Sequence, residues 1–137
     1  FTAVPGTLYN LRVRAHNSHG WGEWSPTLLL KASGLPETPL PPTTSVNNEN
    51  IKIEWVDPEN NEEAIDKYRI LIAQEDRVTF IEILDYCDGA NDVIISLKAC
   101  EIPISILKSA PFSLEAGEEV IAQVRAHNAN GWGENSV

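Results

Sequence analysis

Apolar and polar residues alternate along most of this chain. Tyr9, Leu11, Val13 and Ala15 are separated by Asn10, Arg12 and Arg14, and Val120, Ala122, Val124 and Ala126 repeat the pattern. Ile51, Ile53 and Trp55 alternate with Lys52 and Glu54, and Tyr68, Ile70 and Ile72 alternate with Arg69 and Leu71. A period of two places every second side chain on one face, so each run predicts a half-buried strand. Tyr9, Val13, Tyr68, Ile70 and Val124 are the expected core residues of these strands. The β-branched runs at 79–84 and 93–97 are expected to add two more strands. One helical turn is expected at 104–108. Asp57-Pro58, Asn60-Asn61, Asp88-Gly89, Ala116-Gly117 and Asn130-Gly131 supply the turns. Short strands with this punctuation predict an all-β sandwich.

The alternation is itself repeated. Residues 12–25 read RVRAHNSHGWGEWS and residues 123–136 read QVRAHNANGWGENS. The offset is 111 residues, and it aligns Phe1 with Phe112 and Gly6 with Gly117; 12 of the 26 overlapping positions are identical. A domain-sized period implies tandem beads, because solenoid units are shorter. Between the copies, 34–44 reads GLPETPLPPTT, with four prolines. Such a stretch favours extended backbone and a semi-rigid spacer. Both ends of the chain are expected to be cuts in a longer polypeptide. The first copy then supplies only its last strands, and two strands alone are marginal in water. Flanking residues are expected to complete it.

The residues that carry these features resemble the fibronectin type III family. Leu40-Pro41-Pro42, Ile51-x-Ile53-x-Trp55-x-x-Pro58 and Tyr68-x-Ile70 are similar to the first half of such a domain. Gly6-x-x-Tyr9-x-Leu11-x-Val13-x-Ala15-x-Asn17-x-x-Gly20, followed by Ser25, is similar to its strand F and the following loop. The resemblance implies a fibronectin type III-like, immunoglobulin-like sandwich repeated in tandem. Residues 1–34 would hold strands F and G of one repeat. Residues 35–44 would be the Pro-rich linker and the start of the next repeat. Residues 45–137 would hold most of that second repeat, with its final strand truncated. Trp55 would be the large core residue of strand B. Tyr9 would be a corner tyrosine bonded to upstream backbone. Val120 stands in its place in the second copy and cannot make that bond, so the second copy is expected to rely on a disulfide instead. The inserted segment around Cys87 and Cys100 looks like the cysteine-bearing repeats of large protist, ciliate-like surface proteins.

Trp21-Gly22-Glu23-Trp24-Ser25 is similar to the tryptophan-serine box of class I cytokine receptors, in which strand-F arginines stack between the tryptophans. The resemblance implies a ladder of Arg12, Arg14, Trp21 and Trp24, shortened to Arg125 and Trp132 in the second copy, where Gln123 and Asn135 replace the other rungs. The reading adopted is a stiffening surface brace. His16, His19 and His127 are read as solvent-facing.

Composition narrows the function. Hydrophobic residues make up 42% of the 137, enough for a packed core. The formal charge of −10 excludes nucleic acid and anionic membrane surfaces as natural partners. No apolar run is long enough to span a membrane. Two cysteines, Cys87 and Cys100, point to one disulfide and an oxidising compartment; the alternative is a pair of buried thiols. The acidic stretches at 57–63 and 85–92 lack the spacing of a calcium loop and read as solvated loops. No histidine–cysteine set has zinc spacing, no cofactor motif occurs, and no nucleophile is paired with a base. Thr38, Thr43, Thr44 and Ser45, among the linker prolines, are expected sites for O-linked sugar. These features predict a non-enzymatic structural repeat of a large extracellular or cell-surface protein, forming a spacer, coat or filament. Its expected partners are neighbouring copies of the repeat, in cis or between chains, and a surface glycan. The alternative is a receptor or adhesion ectodomain.

Overall fold

A computed structural model describes residues 2–137, so Phe1, the aligned partner of Phe112, lies outside the described residues. Strict alternation produces the two central strands. In β6 (Asn50–Glu54), Ile51 and Ile53 face inward, and Trp55 follows them. In β7 (Lys67–Ala73), Tyr68, Ile70 and Ile72 face inward. Around β6, strands β5 (Thr43–Asn47) and β9 (Ala99–Pro103) complete an antiparallel three-stranded sheet. Around β7, strands β8 (Phe80–Ile81), β10 (Ala122–Asn128) and β11 (Gly131–Trp132) form a four-stranded sheet in the order β11-β10-β7-β8. Ile53, Trp55 and Ile102 from one sheet meet Tyr68, Ile70, Ile72, Val124 and Ala126 from the other in one core. Each fully buried aliphatic side chain contributes roughly 1.5–3 kcal/mol.

Trp55 and Tyr68 cross between the sheets with ring centroids 5.3 Å apart. The Tyr68 hydroxyl donates to Asp57, and burial raises the Tyr68 pKa above its usual range, helped by that bond. Cys87 and Cys100 form a disulfide inside this core, with their Cα atoms 5.3 Å apart. It ties α1 (Leu84–Cys87) to β9.

The run at 93–97, expected as a strand, is instead helix α2 (Asp92–Leu97). The Asn91 side chain accepts from Val93 N at 2.9 Å, and Lys98, left-handed at φ 52°, closes the last turn through Ile94 O. A cap at each end of a six-residue segment outweighs its β-branched composition. Of the run at 79–84, only Phe80 and Ile81 pair, against Ala73 and Ile72. Upstream, the Asp76 carboxylate accepts from Val78 N, Thr79 N and the Thr79 hydroxyl and forces a turn. Downstream, Leu84 opens α1. The helical turn expected nearby is α3 (Ile104–Leu107).

The first copy is a bent hairpin. β1 (Leu8–Leu11) pairs with β4 (Leu28–Lys31), and β2 (His16–Asn17) pairs with β3 (Gly20–Trp21). Two of the expected core residues differ here. Val13 is 73% exposed and Tyr9 only half-buried, whereas Val124, the counterpart of Val13, is 0% exposed. The reason is that alternation selects a face, but burial needs a second sheet. Among the described residues none covers the hairpin, while β6 and β9 cover Val124.

Tyr9 does make a corner contact, its hydroxyl accepting from Val4 N at 2.8 Å. Beside its disulfide, the second copy also binds the equivalent backbone N–H locally. Glu115 N, the counterpart of Val4 N, donates to Glu118 Oε2 at 2.9 Å, and Arg77 binds the other oxygen at 2.9 Å. The Glu115 N–H, then the Arg77 guanidinium, hold the Glu118 carboxyl below its ordinary 4.5. A lowered folded-state value means stability that is present above about 4.5 and lost as pH falls through the lowered value. Glu118→Gln is therefore expected to flatten the acid limb of stability against pH. Urea midpoints measured from about pH 6 down to about pH 3 check it.

Candidate functional site

Alternation along the first copy projects Arg12, Arg14 and His16 from one face, and the returning segment lays its indoles over them. The Arg12 guanidinium lies 4.5 Å from the Trp24 ring, and Arg14 lies 4.5 Å from both Trp24 and Trp21. His16 ends the stack 4.7 Å from Trp21. The indoles remain open to solvent, Trp21 by 60% and Trp24 by 44%.

Ser25 fixes this return. Its N donates to Val13 O at 2.8 Å, its Oγ accepts from Val13 N at 3.0 Å, and Gly22 N donates to Ala15 O at 2.9 Å. The second copy reproduces each bond. Ser136 N donates to Val124 O at 2.8 Å, Val124 N donates to Ser136 Oγ at 2.9 Å, and Gly133 N donates to Ala126 O at 2.9 Å.

The second stack recruits a different strand. Trp132 lies 4.9 Å from Arg125 and 4.8 Å from His127, and also 4.9 Å from Arg69 and 5.7 Å from Lys67. The register sets Arg125 opposite Arg69 and His127 opposite Lys67. Lys67 and Arg69 alternate with Tyr68 and Ile70, so the same period-two signal that singles out Arg12 and Arg14 marks them as outward-facing. The ladder expected from sequence omits Lys67 and Arg69, and omits His16 and His127, which lie on the rings; His127 Nδ1 also lies 2.7 Å from Asp66 Oδ1. Cation–π contacts of this kind contribute about 0.5–1 kcal/mol each. Trp132→Ala, which unbraces β10 from β7, is expected to cost about 1–2 kcal/mol. Trp21→Ala, on a hairpin that no sheet covers among the described residues, is expected to cost less. Urea denaturation of both variants checks the order.

The linker is docked, not a free spacer. Gly34, Pro36 and Pro39 are buried. Asn128, 0% exposed, donates through Nδ2 to Gly34 O at 2.7 Å, with Asn60 O and Glu63 O at 3.2 and 3.4 Å. Asn130 Nδ2 reaches Gly34 O at 3.1 Å. From the opposite loop, Asn61 O accepts from Gly34 N at 3.0 Å, and Asn61 Nδ2 donates to Leu35 O at 2.8 Å. Lys31 and Glu62 pair at 2.6 Å. A Cβ on Gly133 would lie 2.5 Å from Pro36 O, so the strap can pass there only over a glycine.

The remaining residues singled out by sequence lie elsewhere. Thr38 is exposed on the strap, whereas Thr43, Thr44 and Ser45 belong to β5. Thr44 Oγ1 donates to Val120 O at 3.4 Å. Asp57 serves Tyr68 and, at 3.2 Å, Lys98; Asp88 accepts from Ala90 N at 3.0 Å. Among the described residues no helix is long and apolar enough to cross a membrane.

No family model and no curated protein matches the chain. Solved structures do. The chain is similar to the structure of titin kinase and its flanking domains, at 12% identity and a TM-score of 0.53, over 77% of this chain and 16% of that one. It is similar to domains A168–A170 of titin, at 15% identity and a TM-score of 0.53, over 88% of this chain and 35% of that one. Chicken CNTN1 FN1–FN3 domains align at 18% identity and a TM-score of 0.42, over 97% of this chain and 41% of that one. The chain thus spans less than half the length of each of these three solved chains. The likeness to the titin structures is one of fold, and together with the packed three- and four-stranded antiparallel sheets it makes this chain an all-β, β-sandwich protein.

Proposed function

We propose that the chain is a non-enzymatic structural segment of a large extracellular or cell-surface protein, in which repeats joined by docked linkers form a spacer, coat or filament. The units of that array are 1–34, 35–44 and 45–137, in the manner of the cysteine-bearing protist surface repeats. The observation that carries the reading is the joint itself. A buried asparagine, Asn128, holds the strap that leaves one copy against the loops of the next. A fixed joint at a domain-sized period propagates one geometry along a chain, and neighbouring copies are then its partners. The Cys87–Cys100 bridge supports an oxidising, extracellular setting. Thr38, exposed on the strap, is the proposed site of a surface glycan.

The test is length. Residues 1–111 joined directly to residues 1–137 make a chain with one added period, and a further 1–111 adds another. Small-angle scattering should show the maximum dimension growing by a constant increment per period. Chains that fold back or clump without regular growth would overturn the reading. A second reading, a receptor or adhesion ectodomain, is favoured by the two open indoles of the Arg12–Trp24–Arg14–Trp21 stack. It gains ground if Trp21→Ala removes adhesion to cells while the scattering increment stays unchanged.

A further inference from the structure

The two copies present the same loop, but among the described residues only one of them is occupied. Asn128 and Asn17 are equivalent, and each side-chain oxygen caps its own turn, accepting from Asn130 N at 2.9 Å and from His19 N at 2.9 Å. Their amide nitrogens differ. Asn128 Nδ2 is bonded to Gly34 O, while Asn17 Nδ2 meets no acceptor among the described residues, and Asn17 is exposed. The glycines differ in the same way. Gly133 is confined by Pro36, whereas a Cβ on Gly22 would meet only Ala15 O, at an ordinary 3.7 Å. Gly22 does not have the left-handed backbone conformation that would demand glycine. Nothing within residues 2–137 therefore uses the missing side chain of Gly22.

We infer that the loop from Asn17 to Gly22 is the receiving half of a second joint, and that it takes the Gly-Leu-Pro strap of a preceding copy of this repeat. Asn17 Nδ2 donates to the glycine carbonyl of that strap, and the proline carbonyl passes over Gly22. His19 stands where Asn130 supplies a further donor in the occupied joint, so this joint keeps one of the two amide bonds to the glycine carbonyl. The exposed apolar face of the same hairpin, with Val13 at 73% and Leu28 at 60%, belongs with the same occupant, since strands of a preceding copy would bring their strap with them. The inference rests on the tandem-array reading and names the contact that sets its angle.

The test uses the 137-residue chain and the chain of 1–111 joined to 1–137, in which the second Asn17 and Gly22 lie downstream of a strap. Gly133→Ala in the 137-residue chain should lower the melting temperature by at least about 5 °C, and Gly22→Ala there should leave it unchanged. In the joined chain, Gly22→Ala at the second occurrence should lower it as Gly133→Ala does. Asn17→Ala at the same occurrence, which removes a donor without adding bulk, should lower it as well. A joined chain that tolerates both changes overturns the inference while leaving the array reading intact. A joined chain that gains no second folded unit overturns the array reading and the inference with it. Tolerance of Gly133→Ala in the 137-residue chain removes the premise and overturns the inference alone.

Discussion

Replacing Cys87 and Cys100 together by alanine is expected to destabilise the second copy by about 3 kcal/mol, on the chain-entropy estimate for a closed loop of this length. The bridged residues are 13 apart in sequence, and the segment between them is the one that departs most from sandwich geometry. It carries α2 and the left-handed Lys98, and no strand of either sheet lies between Gly89 and Lys98. Reduction lets this insertion explore conformations that β6 and β9 otherwise hold in register. Both sulfurs also lie in the core, with Cys87 1% and Cys100 5% exposed, so truncation leaves unfilled volume as well. Guanidinium denaturation of the double variant, followed by tryptophan fluorescence, measures the loss.

Asn128→Ala carries the second large effect, about 3 kcal/mol. Its amide serves Gly34 O, with Asn60 O and Glu63 O within reach, and its oxygen accepts from Asn130 N. Alanine offers none of these groups a replacement, and the site is closed to water. The internal control is Asn17→Ala, the same change at the equivalent exposed position, which is expected to fall within about 0.5 kcal/mol. Paired urea titrations of the two variants separate a joint from a turn. Equal losses would mean that asparagine matters at this position only for capping its own turn.

The fold was legible because period two is a property of the backbone. Ile51, Ile53, Tyr68, Ile70 and Val124 declare their facing residue by residue, and all are buried. The stacks were half legible. Arg12, Arg14, Trp21 and Trp24 lie on one hairpin, within reach of a local reading. Arg69 reaches Trp132 from β7, more than 50 residues away, and only the register against β10 brings them together. The failures share a cause. The run at 93–97 has strand composition, but Asn91 and Lys98 act on its ends, and capping is decided by backbone angles that composition does not carry. Val13 has a core residue's pattern, but among the described residues no sheet lies across from it. The docking of the linker was invisible, since four prolines describe a stiff segment and say nothing of what it lies against.

The most direct test of the array is amide hydrogen exchange in the chain of 1–111 joined to 1–137. In the 137-residue chain, Val13 and Ala15 lie on an uncovered hairpin and should exchange far faster than Val124 and Ala126. In the joined chain, the second Val13 and Ala15 should become as protected as Val124 and Ala126, because the preceding residues supply the sheet that covers them. If they continue to exchange as they do in the 137-residue chain, the repeats do not complete one another, and the array account is wrong.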